Sequence, residues 1–236
     1  REFEVFDLPF VFADEAALRR VTDGPVGRRL LARLEPTGIL GLAYWDGGFK
    51  SFSANTPLRA PEDFRGLRMR IQPSAVLAAQ MRALGALPHV SGFSEARDAL
   101  AAGVVDGTEN PIANLYTQRM HEVQRHLSLT RHGYLGYAVI VNARFWNGLP
   151  SRVRGQLERA LGEATAYANR VAREVEEEDL RKVVAAGTTL VHTPTPAERL
   201  ALKKALLRVH AEMEGRVGKS LLRDVYAASA FTPDGP

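Results

Sequence analysis

The chain has 236 residues, of which 45% are hydrophobic and 25% are charged, so it is long and apolar enough to form a substantial core. It contains no cysteine, which excludes disulfides, thiolate metal sites and cysteine nucleophiles and suits an oxidising compartment. The net charge of +4 is spread along the chain instead of clustered beside aromatic residues, so nucleic-acid binding is not predicted.

No apolar run is long enough to span a bilayer, and the chain does not open with a charged and then apolar signal segment. We therefore expect either a mature form from which a signal peptide has been removed or a chain that lacks its natural start.

Three elements are predicted in the first 48 residues. Residues 3–10 are short, apolar and interrupted by proline, which is typical of a strand or loop. A helix is expected over residues 15–34, and an apolar strand over 38–45 that is closed by a turn at Asp46-Gly47-Gly48.

The next segment alternates apolar and basic residues. Residues 61–63 are a plausible helix start, and residues 67–71 then read Leu-Arg-Met-Arg-Ile. This period of two is typical of a half-buried strand and places Arg68 and Arg70 on the face opposite the apolar side chains.

Helices and strands alternate from residue 73 to residue 142. Helices are predicted over 75–84, 95–102 and 112–123, with short extended pieces at 89–90 and 103–107 and a long strand over 127–142. This alternation predicts an α/β lobe with a largely parallel sheet.

The longest helical signal covers residues 150–186. At 1.5 Å per residue such a helix extends roughly 50 Å, longer than a small lobe is wide, so it should touch two lobes. The charged run 173–182 reads as its solvated face and is given no chemistry. A capping box at Thr195, followed by Pro196 and then Glu198, predicts a last helix to about residue 215.

Motifs of common enzyme classes are missing from the sequence. It has no Gly-x-Ser-x-Gly elbow, no phosphate-binding glycine loop and no His-Glu-x-x-His pair. The five-residue gap between His121 and His126 does not suit a shared metal, and surface histidines are expected. We predict no enzymatic activity, no metal and no cofactor.

Spacing alone leaves two interpretations open for each of two polar residues, Arg70 and Asn110. Arg70 is either an anion-binding residue at the carboxyl end of its strand, where ligands bind in open α/β sheets, or a surface arginine paired with a glutamate. Asn110 is likewise either a ligand donor or a helix cap.

Several blocks of the sequence, in the right order, resemble the extracytoplasmic solute receptors of TRAP transporters. They cover most of the chain and read DLPFVF at 7–12, YWDGGFK at 44–50, FRGLRMRIQPS at 64–74, LGA at 84–86, FSE at 93–95, AL at 99–100, GVVDGTENP at 103–111, TRHGY at 130–134 and NARFWNGLP at 142–150.

The resemblance implies a set of ligand-binding residues. In that family the arginine matching Arg70 grips the substrate carboxylate, and a guanidinium suits this because its planar fork of donors matches both carboxylate oxygens. The whole predicted set is Arg70, Asn110, Phe93, Lys50, Tyr134, Tyr137, Gln72 and Trp45.

The members of this set have different implied roles. Asn110 adds a hydrogen bond to the same ligand, Phe93 supplies an apolar wall, and Tyr134 and Tyr137 offer hydroxyl groups. Lys50 falls where relatives often have a second arginine, so a point-charge contact is expected there instead of a second bidentate clamp.

The resemblance also implies the architecture. We expect a two-lobed periplasmic-binding-protein fold in which the long helix spans both lobes. One lobe is predicted at residues 1–47 and 136–175, the other at 48–135 and 176–236. Relatives begin with a strand-helix-strand segment that completes the first lobe, and this segment is expected to be missing here.

The implied function is the periplasmic capture of a small organic carboxylate and its delivery to TRAP membrane subunits, by a monomer or weak dimer. A stand-alone carboxylate sensor or binding domain, or an α/β enzyme with an unrecognised site, are the alternatives. The sequence does not decide among C4 dicarboxylates, keto or hydroxy acids, aromatic acids and sugar acids.

Overall fold

The computed structural model describes residues 1–233 and contains a mixed six-stranded sheet with helices packed around it. In chain order the strands are β1 (Ile39–Ala54), β2 (Arg68–Ile71), β3 (Leu87–Val90), β4 (Gly107–Asn110), β5 (His126–Asn142) and β6 (Leu190–His192). Across the sheet the order is β3-β2-β4-β1-β5-β6.

The helices of the described region lie between and after these strands. They are α1 (Glu15–Thr22), α2 (Pro25–Ala32), α3 (Ala75–Ala83), α4 (Ala96–Ala101), α5 (Ile112–Thr117), α6 (Ala143–Gly148), α7 (Ser151–Ala186), α8 (Pro196–Val217) and α9 (Lys219–Ser229). Within residues 1–233, none of them combines the length and the apolar character that a bilayer-crossing helix requires.

The sheet as a whole is mixed, and its parallel pairings include those among β2, β3 and β4, in the lobe for which a largely parallel sheet was predicted. β2 pairs in parallel with β3 and β4, and β5 with β6, whereas β1 is antiparallel to both β4 and β5. The antiparallel β1–β5 pair is the longest pairing in the sheet.

β1 is twice as long as predicted, since the expected turn at residues 46–48 is a bulge inside the strand. The register with β5 shifts between Asp46 and Gly48, and Gly48 has a φ of 110°. A Cβ at Gly48 would lie 3.0 Å from the Cβ of Pro111 and 3.1 Å from Oε2 of Glu176. The bulge bends the strand without ending it, which a sequence of turn-type residues does not reveal.

The long helix α7 agrees with the prediction and is fixed to the β1–β5 ribbon by side-chain hydrogen bonds. Asn169 accepts from the backbone N–H of Asp46 at 2.8 Å and donates to the carbonyl of Tyr44 at 3.1 Å. The indole N–H of Trp45 donates to Thr165 at 3.0 Å. Gly187, with a φ of 66°, ends the helix as a left-handed cap.

Two predicted helices are shorter than expected. The helix predicted over 15–34 is divided at Gly24-Pro25, because Pro25 has no backbone N–H to continue the first helix and begins α2 instead. The chain passes close to α1 at this point: a Cβ at Gly24 would lie 2.2 Å from the carbonyl oxygen of Arg20. The helix predicted over 112–123 ends at Thr117 and is followed by a 3₁₀ turn. The cap at Thr195 is confirmed, with both hydrogen bonds of its box to Glu198.

The larger of two apolar clusters joins the first residues of the chain to its last helices. Val5 and Leu8 pack in it with side chains of β1, β2, α3, α8 and α9. The second cluster lies around α4 and α5 and includes Val183 from the end of α7. Sequence-distant segments therefore share one core, and the lobe boundaries predicted above stay a prediction.

A buried histidine holds the opening segment against the last two helices. Nε2 of His210 donates to the carbonyl of Pro9 at 2.7 Å, and Nδ1 accepts from the hydroxyl of Tyr226 at 2.6 Å. Burial lowers the pKa of His210 from 6.5 to about 4, since a buried imidazolium loses its hydration. The fold thus needs this imidazole in its neutral form.

We expect the contribution of His210 to the free energy of unfolding to fall by roughly 3 kcal/mol as the pH is lowered from about 6.5 to about 4. The pKa of His210 is lower in the folded protein than in the unfolded chain, so the stability that its neutral form contributes is complete above pH 6.5. Below that pH the unfolded chain binds the proton first, and this stability is lost. Urea titrations of native protein and His210→Gln over this range measure the effect. The variant should show a flatter pH profile, and the exposed His89→Gln should follow the native curve; a variant as pH-dependent as the native protein contradicts the assignment.

Candidate functional site

Buried polar atoms without hydrogen-bond partners concentrate at one edge of the sheet. Of nine such side-chain atoms in residues 1–233, five belong to four residues at or just after the carboxyl ends of β2, β3 and β4. They are Nε and Nη1 of Arg70, Oε1 of Gln72, Oγ of Ser91 and Oδ1 of Asn110. Because native proteins leave few buried polar groups unpaired, this edge has the character of a binding site.

Arg70 is the central group of this edge. Its side chain is buried, with only 1% exposed, and Nη2 donates to the carbonyl of Ser91 at 2.8 Å. Within the described residues no carboxylate lies at ion-pair distance from the guanidinium. Burial lowers the pKa of Arg70 and the charges of Glu109 and Glu95 oppose this, yet a guanidinium stays protonated in proteins. The side chain therefore presents an uncompensated charge and unused donors.

Asn110 ends β4 and does not cap the following helix. Its Nδ2 donates to Oγ1 of Thr108 at 3.1 Å, which leaves Oδ1 free. The first N–H groups of α5, at Ile112 and Ala113, are instead bound by the carboxylate of Glu176 at 2.9 and 3.0 Å. The helix-cap reading of Asn110 is therefore wrong.

The charged run on α7 is not simply a solvated face. Glu176 lies within it and caps α5, and Asp179 is buried with 3% exposure. Burial raises the pKa of Glu176, although the two backbone N–H groups lower it in part. The sequence suggested neither role, because a run of charges carries no sign of which members the tertiary structure covers.

A buried polar network lies beside Asn110 and contains Lys50. Nζ of Lys50 is 3.0 Å from Oε1 of Glu109 and 3.8 Å from Oδ1 of Asp7. The other carboxylate oxygen of Glu109 accepts from Nε2 of Gln80 and from Nε2 of His132, each at 2.8 Å. Both ends of the Glu109 carboxylate are thus satisfied inside the protein.

Lys50 and Glu109 each keep the other in its charged form. Burial alone would raise the pKa of Glu109, but the charge of Lys50 and the hydrogen bond from His132 keep it well below its ordinary value. Burial alone would lower the pKa of Lys50, and the carboxylates of Glu109 and Asp7 raise it instead. The ammonium of Lys50 already has internal partners, so its direct contact with a ligand stays a prediction.

The remaining predicted residues lie on the β1–β5 ribbon or beside β3. Trp45 and Tyr137 are cross-strand neighbours, and Tyr137 is 52% exposed. The hydroxyl of Tyr134 donates to Oδ1 of Asp46 at 2.7 Å, so this hydrogen is used within the protein. Phe93 follows β3 in a 3₁₀ turn and is partly exposed.

The structure therefore divides the predicted set into two groups. Arg70, Gln72 and Asn110 gather at the ends of the parallel strands, with Phe93 in the segment that follows β3. Trp45, Tyr134 and Tyr137 lie on the ribbon, and Lys50 is buried below the surface.

The sequence analysis did not single out four residues that shape this region: Ser91, Glu109, His132 and Glu176. Only the hydrogen-bond pattern of the folded chain identifies them, since each is an ordinary polar residue in the sequence. His121, predicted at the surface, is 5% exposed and stacks on Tyr116 with ring centroids 5.0 Å apart.

Two further features of residues 1–233 bear on the chemistry. No group of three or more His, Asp and Glu side chains converges as a metal site would require. A cavity of about 160 Å³ lies between α1, the β1 bulge and α7, but neither Arg70 nor Asn110 lines it. The strand-end edge is therefore distinguished by its unpaired polar atoms.

Replacing Lys50 by Met should destabilise the fold by about 3–5 kcal/mol, because it leaves Glu109 buried without a counter-ion. The double variant Lys50→Met/Glu109→Gln should lose less than the two single variants together, since it removes both charges. Urea denaturation at neutral pH measures these differences. Lys219→Met is the matched control: Lys219 pairs with Glu214 at the surface, 3.8 Å away, so we expect a loss below about 1 kcal/mol. Equal losses for Lys50 and Lys219 would refute the buried-pair assignment.

Comparison with known proteins gives a consistent result. Residues 1–216 match the family model DctP, described as bacterial extracellular solute-binding protein, family 7. The C4-dicarboxylate-binding periplasmic protein DctP of Rhodobacter capsulatus is 55% identical over 230 residues, which are 98% of this chain and 69% of that protein.

Solved structures are similar over nearly the same region. A TRAP periplasmic solute-binding protein from Shewanella oneidensis with bound succinate has a TM-score of 0.93 at 38% identity, covering 97% of this chain and 75% of that one. A relative from Pseudomonas aeruginosa with bound L-malate has a TM-score of 0.87 at 37% identity, covering 90% and 74%. The α/β fold and the family resemblance read from the sequence are both confirmed.

Proposed function

We propose that this chain, which belongs to the DctP family of bacterial extracellular solute-binding proteins, binds C4-dicarboxylates such as succinate and L-malate in the periplasm for TRAP transport. Proteins of this family bind solutes and are not enzymes, in agreement with the missing catalytic motifs. The three relatives described above carry a C4-dicarboxylate in the name, or succinate or L-malate in the structure.

The observation that carries the proposal is the buried guanidinium of Arg70, which has unused donors and no carboxylate partner in the described chain. A dicarboxylate offers the missing counter-charge, and a carboxylate can accept two parallel hydrogen bonds from the guanidinium fork. Asn110 and Gln72 supply further polar atoms at the same edge, and Phe93 an apolar surface. Trp45, Tyr134, Tyr137 and Lys50 complete the proposed ligand-binding set.

Delivery to membrane subunits and closure of two lobes belong to the same proposal. α7 hydrogen-bonds to β1 through Asn169 and to the first turn of α5 through Glu176, so it links the ribbon to the strand that carries Asn110. A ligand that contacts both predicted lobes only when they are closed would shift the population toward that state. The membrane subunits would then recognise the closed form.

Replacing Arg70 by Ala should weaken binding of succinate by about a hundredfold or more, because the bound carboxylate loses its buried counter-ion. Arg70→Lys should give an intermediate loss, since an ammonium keeps the charge without the planar fork. Isothermal titration calorimetry measures both.

Arg68→Ala is the matched control, because Arg68 lies two residues earlier on β2 and pairs with Asp106 at the surface, 2.7 Å away. Its affinity should stay within about threefold of the native value. Native-like affinity in Arg70→Ala would overturn the assignment of Arg70.

A thermal-shift panel tests the ligand class. Succinate, L-malate and fumarate should raise the melting temperature in a concentration-dependent way, because a ligand that binds only the folded state stabilises it by mass action. Acetate, with one carboxylate, and D-galacturonate, a larger monocarboxylate, should have smaller effects at equal concentration. A larger shift with galacturonate than with any dicarboxylate would exclude the proposed ligand class.

A further inference from the structure

Ser91 is the first residue after β3, and its backbone is fixed beside the guanidinium of Arg70. Its carbonyl accepts from Nη2 of Arg70 at 2.8 Å, and its N–H donates to the carbonyl of Ile71 at 3.4 Å. Oγ of a serine is only three bonds from its own carbonyl carbon. The main chain of Ser91, to which this hydroxyl is attached, is therefore fixed beside the guanidinium of Arg70.

This hydroxyl is buried and has no hydrogen-bond partner in residues 1–233. A buried hydroxyl without a partner is unfavourable, and such groups persist in native proteins mainly where a function uses them. The other groups of this edge are not of one kind: Arg70 leaves two donor nitrogens unpaired, whereas Gln72 and Asn110 leave acceptor oxygens. Ser91 is thus the hydroxyl that can add a donor to those of Arg70.

We infer that Ser91 is a ligand-binding residue and that its hydroxyl donates a hydrogen bond to the same carboxylate that Arg70 holds. This inference rests on the proposed function. The carboxylate then receives hydrogen bonds from the guanidinium fork and from Oγ, and the acceptor is charged, which strengthens each bond. The carbonyl of Ser91 meanwhile orients the guanidinium, so one residue both positions Arg70 and contacts the ligand.

The test compares Ser91→Ala and Ser91→Thr in the whole chain, with succinate and L-malate as probes in calorimetry. Ser91→Ala keeps the carbonyl that holds Arg70 and removes only the hydroxyl, so affinity for both acids should fall about tenfold or more. Ser91→Thr restores the hydroxyl and should bind within about threefold of the native protein.

Two serines serve as controls. Ser94→Ala changes an exposed serine three residues further along the same segment, and Ser128→Ala removes a buried, unpartnered hydroxyl on β5. Neither should change affinity by more than about threefold, because a bond to the bound carboxylate is not lost. A loss in Ser128→Ala equal to that in Ser91→Ala would overturn the inference, since it would show an effect of burial alone.

The outcomes separate this inference from the proposed function. If the native protein binds no dicarboxylate, the proposed function fails; if it binds and Ser91→Ala binds equally well, only the role of Ser91 fails. Should Ser91→Ala also melt at a lower temperature without ligand, a crystal structure of the succinate complex decides. Oγ within about 3.2 Å of a carboxylate oxygen supports the inference, and a distance above about 4 Å overturns it.

Discussion

The site depends on a buried positive charge that the protein itself does not neutralise. Desolvating a guanidinium is costly unless a counter-charge compensates it, and in the described chain Arg70 has only a carbonyl as a partner. The nearest acidic candidate on the neighbouring strand, Glu109, is already held by Lys50, Gln80 and His132. The buried pair of Lys50 and Glu109 therefore leaves Arg70 open to an anion from outside.

The pleat of β4 explains how one short strand carries both Glu109 of the buried network and Asn110 of the strand-end edge. Successive residues of a strand point to opposite faces, so Glu109 and Asn110 belong to different sides of the sheet. Thr108 and Asn110 share one side, as their hydrogen bond confirms, and the hydroxyl of Thr108 also donates to the carbonyl of Arg70 at 3.3 Å. The pleat of the strand thus places the carboxylate of Glu109 on the face opposite the side chain of Asn110.

Helix α7 connects this edge to the rest of the molecule without contributing a ligand donor at the strand ends. Glu176 binds the two N–H groups that begin α5, and Asn169, two turns earlier, binds the backbone of β1. Helix α7 therefore joins the start of α5 to the ribbon, in addition to the direct pairing of β4 with β1. Gly48 permits the close approach on which this connection depends, because a larger residue would collide with Pro111 and Glu176.

The sequence by itself determined the elements whose signals are local. The 36-residue helix α7, the capped start of α8 and the long strand β5 follow from periodicity, proline and capping residues within each segment. The family resemblance in turn singled out Arg70 and Asn110, which by spacing alone had a surface or capping explanation. Local patterns are sufficient for such features because the responsible forces act between residues a few positions apart.

Only the tertiary structure decided which polar residues are buried and with whom they pair. It assigned Glu176 and not Asn110 to the start of α5, showed a bulge where a strand-ending turn was predicted at residues 46–48, and gave Lys50 two internal carboxylate partners. It also revealed the unpaired hydroxyl of Ser91. These features depend on contacts between residues that are 21 positions apart, for Arg70 and Ser91, to 90 positions apart, for Asp46 and Gly136. Hydrogen bonds and desolvation across such separations leave no periodic trace in the sequence.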